Sequence, residues 1–183
     1  MATYASAFQI TEPYGPTSLS GANQGIHETS TTKNYPLGTR VWANDAVLGR
    51  AEFIYCTGVA STAIGELIQI NGDFTTVRAA GGTVKGSVGV AMSANVASKY
   101  GWYCIFGRCL ALIAADVTGD VPGYATATAG TWADDIVAGS QVVGSQLQNG
   151  TDAAGSAIPD TTLTLAAHYT VVNLWYPCVI KAV

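Results

Sequence analysis

The sequence predicts an all-β protein, a small barrel or sandwich with an extended N-terminal arm and little helix. Three observations predict it. Short apolar runs alternate with turn signals at intervals of roughly 8–12 residues, the spacing of strands and their connections. Gly is abundant, 21 of 183 residues, among many Ala, Thr, Val and Ser. No stretch carries a sustained helical apolar stripe with a cap at each end. The nearest to a helix is Val90–Lys99, ended by Tyr100-Gly101, and so short a segment reads nearly as well as a loop.

Residues 1–36 are the arm. Pro13, Pro16 and Pro36, with Gly15, Gly21 and Gly25, leave it without hydrophobic period. It still carries Tyr4, Phe8, Tyr14 and Tyr35. An aromatic-bearing segment without its own periodicity suits folding onto a partner, so these four are read as contact residues.

Residues 37–183 are the β-rich domain. Gly38–Trp42 and Arg50–Cys56 read as strands, the second with Phe53 and Tyr55 on one face. Glu66–Ile70 runs into the turn dipeptide Asn71-Gly72 and a return strand over Phe74–Ala80, a predicted hairpin. Gly81-Gly82 turns the chain into Val84–Ala91. The strongest strand is Tyr100–Ala114. Alternation puts Trp102, Cys104 and Phe106 on one face and Tyr103 and Ile105 on the other. Both faces are apolar, which predicts a central strand with Trp102, Tyr103, Ile105 and Phe106 in the core. Gly107 within it marks a bulge or a close backbone approach. Val121–Thr128, Ile136–Val143, a run from about Gln146, and Thr161–Leu165 are shorter strands. The last strand, Tyr169–Tyr176, stops before Pro177. Trp132, Trp175 and Tyr176 are assigned to the core or to subunit contacts, where large aromatics usually reside.

Charge is scarce. Lys and Arg number 8 and Asp and Glu 12, so 11% of residues are charged and the net charge is −4. A typical soluble domain has about 25%. A folded monomer of this mass exposes on the order of 8,000 Å², leaving roughly one charge per 400 Å². An acidic chain without a basic stripe is not built to bind nucleic acid. A membrane does not explain the deficit either. The longest uncharged stretch, between Asp160 and Lys181, is interrupted by Thr161, Thr162, Thr164, His168, Asn173 and Pro177. The first residues lack a basic n-region and an apolar h-region, so no signal peptide is expected. Cys56, Cys104, Cys109 and Cys178 form no disulfide framework for this length and are read as free thiols.

Motifs that carry chemistry are not found. His27 and His168 are the two His, and no G-x-S-x-G elbow accompanies them. Cys104 and Cys109 have opposite strand parity, so they share a site only if a bulge at Gly107 resets the phase. Asp134-Asp135 lacks calcium-loop spacing, and Gly81–Gly86 lacks the order of a phosphate loop. The chain is therefore expected to be no enzyme, with no catalytic or metal residues and no cofactor.

Leu37-Gly38-Thr39-Arg40-Val41-Trp42-Ala43-Asn44-Asp45 followed by Arg50-Ala51-Glu52-Phe53-Ile54-Tyr55 resembles an opening pattern of small head proteins of tailed bacteriophages. Gly89-Val90-Ala91 leading to Tyr100-Gly101-Trp102-Tyr103-Cys104-Ile105-Phe106-Gly107 is similar to their central strand. Tyr124–Gly130, Asp134-Asp135, Val143-Gly144 and Leu174-Trp175-Tyr176-Pro177 continue the order, over about residues 37 to 180. The resemblance implies a capsid decoration (cement) protein with a β-tulip-like domain. Such a protein sits on the outside of the virion, assembled in the host cytoplasm. Its expected partners are the major capsid protein and itself, as a homotrimer at junctions that reinforce the expanded shell. The stretch Val47-Leu48-Gly49 is longer than the turn of that family. An alternative reading is a virion-surface module that binds a carbohydrate or receptor by stacking it on Trp132, Trp175 and Tyr176.

Overall fold

A computed structural model describes residues 9–10, 24–45, 48–136, 140–150 and 168–179. The described residues form strands and loops without a helix. Eleven strands are present among them: β1 Gln9–Ile10, β2 Arg40–Asp45, β3 Gly49–Thr57, β4 Leu67–Ile70, β5 Thr76–Arg78, β6 Gly86–Ala91, β7 Tyr100–Leu112, β8 Val121–Ala125, β9 Trp132–Ala133, β10 Gln141–Leu147 and β11 Tyr169–Val179.

They pair antiparallel into one sheet in the order β1-β2-β3-β7-β6-β11-β10-β8-β9, and the β4–β5 hairpin branches from β6. The two ends of this path are not paired, so the sheet does not close into a barrel. One face nevertheless converges on a single core. Val41 of β2, Phe53 of β3, Val90 of β6, Trp102 of β7, Trp132 of β9, Val142 of β10 and Leu174 of β11 belong to one buried cluster. A sheet reaches such a cluster from most of its length only by curling around it. A second, smaller cluster on the other face joins Ile54, Ile68, Ile70, Tyr103 and Ile105 under the β4–β5 hairpin. Covering β3 and β7 on both faces explains why they lack polar alternation.

The centre of the sheet is β7. Its first half pairs β3 on one edge and β6 on the other, and its second half pairs β11. Its register against β3 steps from Cys104↔Phe53 to Phe106↔Glu52, leaving Ile105 as an extra residue. That bulge reverses the side-chain parity. Trp102 and Cys104 before it and Cys109, Ala111 and Ile113 after it all enter the main core. Phe106 therefore does not share a face with Trp102, as simple alternation predicted; it lies on the opposite face against Trp42. Gly107 has φ +92°, and a Cβ there would lie 2.6 Å from the Arg50 carbonyl oxygen. Both meanings of the glycine, bulge and close approach, are realised.

Other expectations are corrected. Val90–Lys99 is not a helix: Val90 and Ala91 are in β6, paired with β7, and residues 92–99 are a loop. The Asn95 side-chain amide holds that loop by donating to the Tyr103 hydroxyl at 2.8 Å. The hairpin exists, but its connection spans residues 71–75, with Phe74 at φ +61°, rather than a two-residue Asn-Gly turn. Ile136–Val143 is shifted to β10, Gln141–Leu147, and Ile136 stands outside any strand. The last strand continues through Pro177 to Val179. Thr161–Leu165 lies outside the described residues.

Gln24–Pro36 packs onto the domain rather than extending from it. Gln24 donates its side-chain amide to the carbonyls of Glu28 and Tyr100, each at 2.8 Å. Its own side-chain oxygen accepts from the Tyr55 hydroxyl at 2.8 Å, and its carbonyl accepts from the Trp102 indole at 3.3 Å. Tyr35 rests on Tyr55 and Trp102, with ring centroids 5.2 and 5.3 Å away. A boundary at residue 36 thus cuts through the aromatic part of the core.

Candidate functional site

The feature that most resembles a site is built by a bulge in β11. Val143 of β10 faces Cys178 and Ser145 faces Leu174, so Gly144 alone stands opposite Trp175, Tyr176 and Pro177. Gly144 has φ +80°, and a Cβ on it would lie 2.7 Å from the Trp175 carbonyl oxygen. Tyr176 is itself in the left-handed region at φ +50°. Strain of this kind at a non-glycine residue persists only where neighbours enforce it. The consequence is that Trp175 and Tyr176, consecutive in a strand, are both about half exposed, at 50% and 52%.

Tyr176 is held by named groups. Its hydroxyl donates to Glu52 Oε2 at 2.7 Å. Glu52 is 6% exposed, on β3, and its other oxygen lies 3.8 Å from the Arg40 guanidinium. The hydrogen bond to Glu52 raises the Tyr176 pKa above its ordinary value, with smaller contributions from burial and the Glu52 charge. The ring packs on Phe106 at 5.2 Å, and Phe106 on Trp42 at 5.6 Å. Arg40 lies over the Tyr176 ring at 5.9 Å and Arg50 over Trp42 at 4.6 Å. An aromatic row capped by two guanidiniums therefore crosses the outer face of β2, β3, β7 and β11. Flat rings held in place with cations over their faces suit contact with another surface: they bury much area at little entropic cost.

Beside this row runs an open groove of about 610 Å³ between the β11 bulge and the β4–β5 connection. Its floor is Ile54, Ile70 and Ile105, and Phe74 and Tyr176 stand at its sides. Among the described residues lining it, Arg40 and Lys85 carry the charge and none is acidic.

The sequence-predicted residues separate. Trp102, Tyr103 and Ile105 are buried, and Phe106 is half-buried in the aromatic row. Trp132 is fully buried, so of the three aromatics considered for stacking only Trp175 and Tyr176 reach the surface. Tyr35 is 2% exposed and belongs to the core; it is not a contact residue, because Tyr55 and Trp102 enclose it. Tyr4, Phe8 and Tyr14 lie outside the described residues. Sequence reading missed Trp42, Arg40, Arg50 and Glu52. Their signal was available, since residues 40, 42 and 50, 52 alternate onto one face of two adjacent strands.

The bulge does bring Cys104 and Cys109 together in the core, where burial and then the Cys104 thiol push the Cys109 thiol well up. Burial likewise pushes Cys56 up to about 12. All four cysteines are free, and the thiols of Cys56 and Cys109, held protonated by burial, are poor nucleophiles. His27 meets the Met92 carbonyl at 2.9 Å through Nδ1, and His168 is the turn residue before β11, at φ +65°. Among the described residues no three His, Cys, Asp or Glu gather where they would hold a metal ion, and no helix is long and apolar enough to cross a membrane. Compared with protein-family models, curated proteins and solved structures, the chain matches none.

Proposed function

We propose that the chain is a structural virion protein, a decoration protein that binds the outer surface of a phage capsid and stabilises the expanded shell as a trimer. The observation that carries this reading is the bulge of β11, which turns Trp175 and Tyr176 outward and fixes Tyr176 on Glu52. A rigid aromatic patch flanked by Arg40 and Arg50, on a chain with 11% charged residues, has the composition of a contact surface. The resemblance of residues 37 to 180 to phage head proteins supplies the identity of the surface bound. The test is co-sedimentation with expanded heads that lack the protein. The wild type pellets with heads, and Trp175→Ala with Tyr176→Ala stays in the supernatant while keeping the wild-type circular dichroism spectrum. A wild type that remains in the supernatant overturns the proposal.

The exposure of Trp175 and Tyr176 also favours a second reading, a surface module that stacks a sugar or receptor on them. A glycan array decides between them. Binders abolished by the same double substitution support this reading, and an array without binders removes it.

A further inference from the structure

The groove beside Tyr176 has a complement on the same molecule. Ile136 is 84% exposed, far beyond Trp175 and Tyr176 at 50% and 52%. It follows Asp134 and Asp135 at the end of β9. The knob is therefore an apolar side chain preceded by two acids. The groove has an isoleucine floor with two cations at its rim and no acid among its described lining residues. Shape and charge are thus paired in the opposite sense: an apolar tip for an apolar floor, and the exposed Asp135 carboxylate for Lys85 and for Arg40, whose own pair with Glu52 is loose at 3.8 Å.

The strand that carries the knob is anchored well away from the groove floor of its own chain. Trp132 bridges Ile113 beyond the far end of β7, while the groove lies at Ile105. Eight residues of strand separate these points by roughly 26 Å at about 3.3 Å per residue. We infer that Asp134–Ile136 of one copy seats in the Arg40–Lys85 groove of a second copy. Because the two surfaces differ, the contact is heterologous, and such contacts repeat head to tail until the rotation closes a ring. The inference deepens the trimer of the proposed function and rests on that reading for the size of the ring. Its test uses the purified chain alone, so its failure is read separately from a failure to bind heads.

The test is light scattering after size exclusion, at low and high salt. The wild type runs as an oligomer that high salt weakens. Ile136→Glu disables the knob, and Arg40→Gln with Lys85→Glu disables the groove; each runs as a monomer with the wild-type circular dichroism spectrum. Mixing these two variants restores one intact knob and one intact groove, and gives a one-to-one dimer that cannot grow. A wild type that stays monomeric, an oligomer that survives Ile136→Glu, or a mixture that stays monomeric overturns the inference. Asp135→Lys, which touches neither the groove nor the core, supplies an independent arm: it is expected to be monomeric, and an unchanged oligomer counts against the pairing.

Discussion

Four tryptophans divide by what encloses them. Trp102 is fully buried, with ring centroids 4.9 Å from Tyr55 and 5.3 Å from Tyr35, and its indole donates to the Gln24 carbonyl. Trp102→Ala removes the residue on which the 24–36 segment rests and is expected to cost about 3–5 kcal/mol. Trp175, half exposed on a bulge, encloses little; Trp175→Ala is expected to change stability by about 1 kcal/mol or less. Urea unfolding of the two variants checks the contrast, and equal midpoints would mean that Trp102 is not the keystone of its face. Charged residues divide in the same way. Glu66 is 2% exposed and takes a bidentate pair from Arg78, at 2.9 and 2.5 Å, which anchors β5 beside β4. Glu52 is nearly as buried but spends its oxygens on Tyr176 and Arg40 at the surface.

Two bulges shape the elements. The one at Ile105 in β7 lets a single strand feed the main core from even positions before it and odd positions after it. It depends on Gly107, whose φ of +92° and contact with the Arg50 carbonyl leave no room for a methyl group. Gly107→Ala adds a left-handed strain of about 1–3 kcal/mol and a backbone clash beyond it. A loss of about 2 kcal/mol or more in thermal unfolding is expected, and a wild-type melting curve would show that the bulge is not pinned there. The second bulge, in β11 at Trp175–Pro177, makes the aromatic patch rather than the core. Pro177 is accepted within the strand because the bulge interrupts the ladder at that point.

At the scale of the whole molecule, burial in two clusters sets the response to alkali. Burial pushes Cys56 up to about 12 from 9.0, and Tyr55 and Tyr103 up to about 12 from 10.0. Between the ordinary and the raised values the folded chain keeps protons that the unfolded chain has released. The unfolded state therefore gains from every rise in pH across that window. The stability these groups contribute is fully present below about pH 9 and is lost as pH climbs toward about 12. Urea midpoints measured across this range are expected to be level at first and then to fall. Tyr103→Phe, which cannot ionise, is expected to fall less steeply, and a level profile up to about pH 11 would contradict the burial of these groups.

The sequence by itself determined the class and the centre of this protein. Residue type and alternation mark β3 as a strand and β7 as a strand apolar on both faces, because a strand covered twice must be, and Gly107 announces its bulge because few other residues tolerate that backbone. Only the tertiary structure decided what the bulges do with neighbouring side chains. Strict alternation has a period of two; one extra residue at Ile105 reverses it and three residues against one at Gly144 interrupt it, so the placement of Phe106, Trp175 and Tyr176 follows from pairing partners far along the chain. The same holds for Tyr35 and Val90–Lys99. Local signals left the first in an arm and the second between a helix and a loop, and long-range contacts with Trp102, and with β4 and β7, decided both.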